Sequence, residues 1–213
     1  MKGYRQYCAV ARGLDLIGER WTLLIVRELL ALGPIRFSDI EDGIPGIPPA
    51  LLSERLRAME QAGIVERPES GRGARYVLTD WGRGLEPVLA ALGTWAGPTL
   101  AVRHDDDRFQ AHWLAVPVRA HLRDRQPDAP PVRLALESVP EPDRGEDIER
   151  LVVAIGGRIE VLVDDRGPAD AMLRGDAGSL VRTLAGVRRP GEPGAATLTG
   201  DVAVFERVAP HLV

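Results

Sequence analysis

The apolar positions of this chain recur with a helical period through most of its first 122 residues and with a strand-like period after residue 131. Residues 4–17 are expected to form a helix with Val10, Leu14 and Ile17 on one side, closed by Gly18. Residues 21–32 form the next, with a stripe of Trp21, Leu24, Ile25 and Leu29 that one charge, Glu28, interrupts; Gly33–Pro34 stops it. A short helix from Phe37 to about Glu41 follows, with Ser38 or Asp39 as its expected N-cap. Gly43, Pro45 and Gly46 break the pattern, and a second helix starts at Pro48–Pro49, where proline's fixed φ suits a first turn. Its residues Leu52, Leu56 and Met59 share a stripe, Ala50, Ser53, Glu54 and Arg57 the opposite face, and Gly63 closes it. Two helices joined by a tight turn, the second apolar on one side only, have the form that enters a DNA major groove N-terminus first.

Residues 64–67 and 75–78 read as two strands around the turn residues Pro68–Gly73, a wing directly after the helix-turn-helix. Arg72 stands at its tip between two glycines, where it can reach phosphate or a minor groove. Thr79 or Asp80 is expected to cap a long helix over 81–95, with Leu85, Val88, Leu89, Leu92 and Trp95 at helical spacing, and Gly97–Pro98 ends it. Residues 99–108 read as a linker. Residues 109–122 are expected to be an amphipathic helix that Pro117 kinks or restarts. Strands are then expected over 132–138, 149–155 and 158–163, the last two forming a hairpin through Gly156–Gly157. Leu173-Arg-Gly-Asp176 and Leu198-Thr-Gly-Asp201 repeat one pattern: a strand end (170–174 and 195–199), a glycine turn, and an aspartate that caps the helix beyond. The expected fold class is α+β. A winged helix-turn-helix domain spans 1–103. A smaller α+β domain spans 104–213, with a mostly antiparallel sheet and helices on one side.

Composition narrows the function. The 213 residues are 45% hydrophobic, enough for a real core. No apolar run is long enough for a transmembrane helix, and the N-terminal residues lack an apolar signal core, so a cytoplasmic location without membrane contact is expected. Cys8 is the only cysteine, which excludes an intrachain disulfide and argues against a thiolate zinc site. Net charge is −4, yet residues 1–103 carry 13 basic and 12 acidic side chains, while 104–213 carry 14 and 19. Only the first half has a charge balance compatible with nucleic acid. There is no nucleotide-binding glycine loop, paired-histidine motif or nucleophile elbow, so neither catalytic residues nor a cofactor are expected. His104, Asp105, Asp106, Asp107 and His112 have irregular spacing and read as a solvated acidic linker; no metal site is expected.

Cys8-Ala-Val-Ala-Arg-Gly-Leu-Asp-Leu-Ile-Gly-Glu-Arg-Trp21, Leu23-Leu-Ile-Val-Arg-Glu-Leu-Leu30, Arg36-Phe-Ser-Asp-Ile40, Leu51-Leu-Ser-Glu-Arg-Leu56, Gly63-Ile-Val-Glu-Arg67 and Tyr76-Val-Leu-Thr79 with Gly82 resemble, in order and spacing, the HxlR-type winged helix regulators of bacteria. The resemblance covers about residues 5–96. It implies a homodimeric transcription factor, paired through its N-terminal and last helices, with double-stranded DNA as partner. The wing, 68–74, is short for that family. Residues 109–213 resemble the sterol carrier protein type 2 fold through Gly156–Gly157, Ala169-Asp-Ala-Met-Leu-Arg-Gly-Asp176, Leu180 to Gly186 and Ala196-Thr-Leu-Thr-Gly-Asp201. That resemblance implies an apolar tunnel and a small apolar effector, although Arg188–Gly194 replaces a regular segment.

The DNA-binding residues expected are Pro48, Pro49, Ala50 and Ser53 nearest the bases, Arg57 on phosphate, Arg36 and Ser38 on the backbone, and Arg67, Arg72 and Arg75 on the wing. Trp113, Leu151, Val153, Ile155 and Met172 are the candidate pocket residues. Cys8 is a candidate redox sensor, with Arg5 and Arg12 at i−3 and i+4 of the expected helix, or else a small buried residue. Trp21 and Trp95 are expected as core and dimer aromatics. Two other functions compete: a DNA-binding dimer whose second domain serves only oligomerisation or protein contact, and a carrier of lipid or other hydrophobic ligands that no longer binds DNA.

Overall fold

The computed structural model describes residues 3–68, 71, 73–104, 106–139 and 149–209. Its backbone divides into two compact units, residues 1–91 and 92–213.

In the first unit, α1 (Ala9–Ile17), α2 (Thr22–Leu32), α3 (Phe37–Asp42) and α4 (Pro49–Gln61) precede a two-stranded hairpin, β1 (Val65–Glu66) and β2 (Val77–Leu78). The hairpin is antiparallel, with Val65 opposite Leu78, and a bridge between Ile35 and Tyr76 ties it to the segment before α3. This is a winged helix-turn-helix. Its core joins Ile25, Val26 and Leu29 of α2, Ile40 of α3, Leu52, Leu56 and Met59 of α4, and Ile64, Val65 and Leu78 of the hairpin. Each such side chain contributes about 1.5–3 kcal/mol by leaving water. The expected stripe of α4 is therefore the buried one. Gly63 ends that helix with φ +69: its N–H donates to Glu60 O and that of Ile64 to Met59 O, which satisfies two end carbonyls.

Three expectations about this half change. The first helix begins at Ala9, not Tyr4; Arg5 has φ +55 and lies outside it, and Cys8 is the extended, exposed N-cap. Arg5 is therefore not one helical turn from Cys8, and Cys8 is not buried. The N-cap of α3 is Arg36 rather than Ser38 or Asp39; Asp39 acts from inside the helix, accepting the Arg36 N–H at 2.9 Å. The long helix after the wing is broken into α5 (Asp80–Arg83) and α6 (Glu86–Ala96). Pro87 explains the break: inside a continuous helix its ring would meet the carbonyl four residues earlier, but in the first turn of α6 it fits. Thr79 caps α5, accepting the Gly82 N–H at 3.0 Å. Gly82 is required there, because a Cβ would stand 2.1 Å from the Ile64 carbonyl oxygen.

The second unit begins within α6, which runs into a 3₁₀ turn (Gly97–Ala101). A second 3₁₀ turn (Ala111–Leu114) leads directly into α7 (Ala115–His121); Pro117 falls in the first turn of α7, where its missing N–H has no acceptor to lose. Then follow β3 (Val132–Ser138), β4 (Glu149–Ile155), β5 (Ile159–Val163), β6 (Ala171–Gly175), α8 (Ala177–Leu184), β7 (Thr197–Gly200) and α9 (Val202–Val208). The sheet order is β5-β4-β3-β6-β7, antiparallel except for the β3–β6 pair. One face, with Leu134, Leu136, Leu151, Val153, Ile155 and Leu173, packs against Val118, Leu180, Val204 and Phe205 of the helices. Asp176 and Asp201 cap α8 and α9 as their repeated motif predicts, accepting the N–H groups of Ser179 and Ala203 at 2.9 Å. Among the described residues no helix is long and apolar enough to cross a membrane.

One buried ion pair closes this unit. Arg207 of α9 donates to both oxygens of Asp124 at 2.7 and 2.8 Å and to the Pro130 carbonyl at 2.7 Å. Asp124 also accepts the N–H groups of Gln126 and Gly157. The Arg207 guanidinium holds the Asp124 carboxyl far below the ordinary carboxylate range. A carboxyl whose folded pKa is depressed stabilises the fold above its unfolded value of about 3.9 and loses that contribution as pH falls through the folded value. Asp124→Asn is expected to lower the melting temperature of the second unit at pH 7. It is also expected to flatten the fall in stability below about pH 4; calorimetry across pH checks both.

Candidate nucleic-acid interface

The turn between α3 and α4 is held from beneath by a charge that the apolar stripe of α2 makes room for. Glu28, fully buried, accepts from Arg27 Nε and Nη2 at 2.8 and 2.6 Å, and Arg27 Nη2 also donates to the Gly43 carbonyl at 3.2 Å. Burial pushes the Arg27 pKa down, against the pull of Glu28. Gly43 admits no side chain: a Cβ would lie 2.2 Å from Glu28 Oε2. The α2 helix and the end of α3 are thereby locked together, which fixes where the chain leaves for α4.

The α4 helix presents Pro48, Pro49 and Ala50 exposed at its start, Ser53 half-buried, and Glu54 and Arg57 exposed. Arg36 and Ser38 are exposed at the start of α3; Ser38 Oγ donates to Asp39 at 3.2 Å, and the Arg36 guanidinium lies close to Gly73 of the wing. Arg67 and Arg75 are exposed on the wing. Arg67 is already engaged, 3.7 Å from Glu60 and 5.7 Å above the Tyr76 ring. Arg72 lies outside the described residues, as does Asp105 of the acidic linker. Trp21 is half-buried against the core, with φ +81 and the Arg20 guanidinium 4.7 Å over its ring. Trp95 is 79% exposed on α6, which buries none of its residues, and Val10 and Leu14 of α1 are exposed as well.

Sequence reasoning missed Arg55. It falls among the buried residues of α4, one position before Leu56, and is itself buried. Its Nη2 donates to Glu54 at 2.8 Å and its Nη1 lies 3.6 Å from Glu19 in the α1–α2 turn. An arginine inside an apolar stripe, with glutamates before α2 and beside it, was the available signal.

The candidate pocket residues of the second unit separate. Leu151, Val153 and Ile155 are packed in the core between sheet and helices, and Trp113 is half-buried, edge-on to Phe109 and His112. Met172 points to the other sheet face and lines a cleft there. In the linker, Asp107 accepts the His104 N–H at 2.8 Å, a local turn bond.

A helix-turn-helix with a two-stranded wing defines the class. The sequence pattern of the HxlR-like helix-turn-helix family matches residues 16–103. The HTH-type transcriptional regulator YvaP of Bacillus subtilis is 41% identical over 88 residues, which are 40% of this chain and 81% of YvaP. YodB of the same organism is 42% identical over 85 residues, 38% of this chain and 75% of YodB. The chain belongs to this family of HTH-type transcriptional regulators. The solved structure of reduced YodB covers 43% of this chain and 92% of its own, at 38% identity and a TM-score of 0.37; YodB has also been solved quinone-bound and diamide-treated.

Arg55→Met leaves Glu19 and Glu54 without their cation. Both carboxylates are open to solvent, so the cost is expected to be at most about 1 kcal/mol, the scale of screened ion pairs, read as a small decrease in the urea midpoint for the first unit.

Proposed function

We propose that this chain is a bacterial transcriptional regulator that binds operator DNA as a homodimer, through the helix at 48–61 and the wing at 65–78. The observation that carries the reading is the division of α4: Leu52, Leu56 and Met59 are buried, while Pro48, Pro49, Ala50 and Arg57 stay exposed at its start and outer face. Ala50 and Ser53 read bases, and Arg57, Arg36, Ser38 and the wing arginines Arg67, Arg72 and Arg75 meet phosphate. The exposed apolar side chains of α1 and of α6, Trp95 among them, support the homodimer. A cytoplasmic location goes with this reading.

The second unit is read as a sterol-carrier-like regulatory domain for a small effector. Full burial of Leu151, Val153 and Ile155 in the sheet–helix core counts against an apolar tunnel lined by these residues; a second unit that serves only oligomerisation or protein contact is the alternative. Cys8, exposed before α1, is read as an oxidant or quinone sensor; the support is its exposure and the similarity to YodB, solved quinone-bound and diamide-treated.

Selection of host genomic fragments on the purified protein at near-physiological salt is expected to enrich one inverted repeat. Its half-sites should lie about one helical turn apart. Retention of random fragments only, with strong salt sensitivity, overturns the reading. Arg57→Ala is expected to lower the slope of log affinity against log salt by about one unit, without changing which repeat is enriched. In a promoter reporter, Cys8→Ala is expected to abolish the response to diamide; an undiminished response removes Cys8 from the mechanism.

A further inference from the structure

The sheet face turned away from the helices carries three cross-strand rows. The middle row is Leu162, Val152, Ala135, Met172 and Thr199. One flanking row holds Arg133 with Ala154 and Glu160, the other Arg150 with Glu137 and Arg174. The connection from β5 to β6, residues 164–170, is braced by both of these strand arginines. Arg133 Nη2 donates to Asp165 at 2.7 Å and Arg150 Nη2 to the Gly167 carbonyl at 2.9 Å. Between this connection and the ends of β6 and β7 lies an open cleft of about 310 Å³, lined by Arg150, Arg166, residues 167–171, Met172, Thr199 and Gly200. Its size is at the small end of ligand pockets, roughly 300–1,000 Å³.

The charges of the lining are not balanced. Arg150 keeps a buried Nε–H with no acceptor, and Arg166 is exposed with no ion pair among the described residues. The acidic group of the lining is Asp170, which accepts the Arg133 N–H at 2.8 Å. Asp165, just outside, is taken up by Arg133 and by the Gly167 N–H, and the Arg133 hydrogen bond keeps its pKa low. Pro168, Ala169 and Met172 supply apolar wall. The lining itself thus holds two guanidiniums and one carboxylate, while Asp165, which Arg150 also attracts, is held by Arg133; a second charge on the ligand would meet Asp170.

We propose that this cleft binds a small organic monocarboxylate, its carboxylate between Arg150 and Arg166 and its apolar body along Pro168, Ala169 and Met172. A guanidinium fork recognises a carboxylate through paired N–H bonds, while the apolar wall excludes fully hydrated inorganic ions. The site deepens the reading of this unit as the effector-holding half of a regulator and rests on that reading for its regulatory meaning. Binding itself is read without DNA, so its failure leaves the operator experiment untouched, and a failed operator selection leaves the binding result standing.

The test is nuclear magnetic resonance titration of the full chain with benzoate and hexanoate, with benzamide and inorganic phosphate as comparison probes. Benzoate or hexanoate is expected to give saturable shifts at the amides of Gly167, Ala169 and Gly200 and at the Met172 methyl, with Kd in about the millimolar range or tighter. Benzamide and phosphate are expected to bind at least about tenfold more weakly, for want of a charge or of an apolar body. Arg166→Gln, at an exposed side chain without a side-chain bond among the described residues, is expected to weaken benzoate or hexanoate binding about fivefold or more. Arg150→Gln is expected to weaken it further, with the Leu134 and Val153 amides reporting an intact sheet. No saturable shift, shifts elsewhere in the unit, equal binding of phosphate, or unchanged affinity in Arg166→Gln overturns the proposal.

Discussion

The first unit depends on one desolvated carboxylate. Glu28 has no contact with water, a position that costs several kcal/mol for an ion without partners. Arg27 offsets that cost with two hydrogen bonds and spends its second Nη2 contact on the Gly43 carbonyl. The result is a three-way joint among α2, the end of α3 and the turn leading to Pro48. Gly43 is part of it because no other residue leaves space for the carboxylate. The attitude of α4 follows from this joint and from the burial of Leu52, Leu56 and Met59, while Arg55 ties the same helix to Glu19 in the α1–α2 turn.

The second unit uses arginine for the same purpose in three more places. Arg207 reaches Asp124 and Pro130, Arg133 reaches Asp165, and Arg150 reaches Gly167. Each fork joins a regular element to an irregular segment that has few apolar side chains of its own. A planar guanidinium can hold a carboxylate and a carbonyl at once, which a lysine ammonium does with much less directional fit. The unit thus has two separate sources of order: an apolar layer between sheet and helices, and polar forks around the loops.

How much of this is legible in the sequence follows from which forces are local. The strands β3 and β4 lie where their apolar alternation and bounding prolines and glycines placed them, and the Asp176 and Asp201 caps act within three residues. The break at Pro87 was also local, but the apolar spacing of Leu85, Val88, Leu89 and Leu92 spans it and masks it. The parallel pairing of β3 with β6 was not legible, since alternation shows which face a residue takes and not which strand lies beside it. The exposed face of α4 could be read from its stripe. The ion pairs could not: Asp124 and Arg207 are 83 positions apart, and nothing in either neighbourhood names the other.

The same distinction decides where an effector can act at low cost. A guest between sheet and helices must separate side chains such as Leu151, Val153 and Leu180, which are already in contact-filled burial, and overpacking of that kind costs about 1–3 kcal/mol per intrusion. An anion in the cleft of the outer face asks for less. It meets the Arg150 guanidinium and an Arg166 that has no ion pair among the described residues. It also competes with the Gly167 carbonyl for the Arg150 fork, one of the two that hold residues 164–170. A ligand shifts a protein only by the difference in its affinity for two states. That difference is available where ligand and protein groups compete for the same donors, and couplings of about 1–3 kcal/mol, enough to change a second affinity 5–150-fold, are within the range such an exchange supplies. On physical grounds the polar braces, rather than the apolar layer, are therefore the part of this unit that a small molecule can use as a switch.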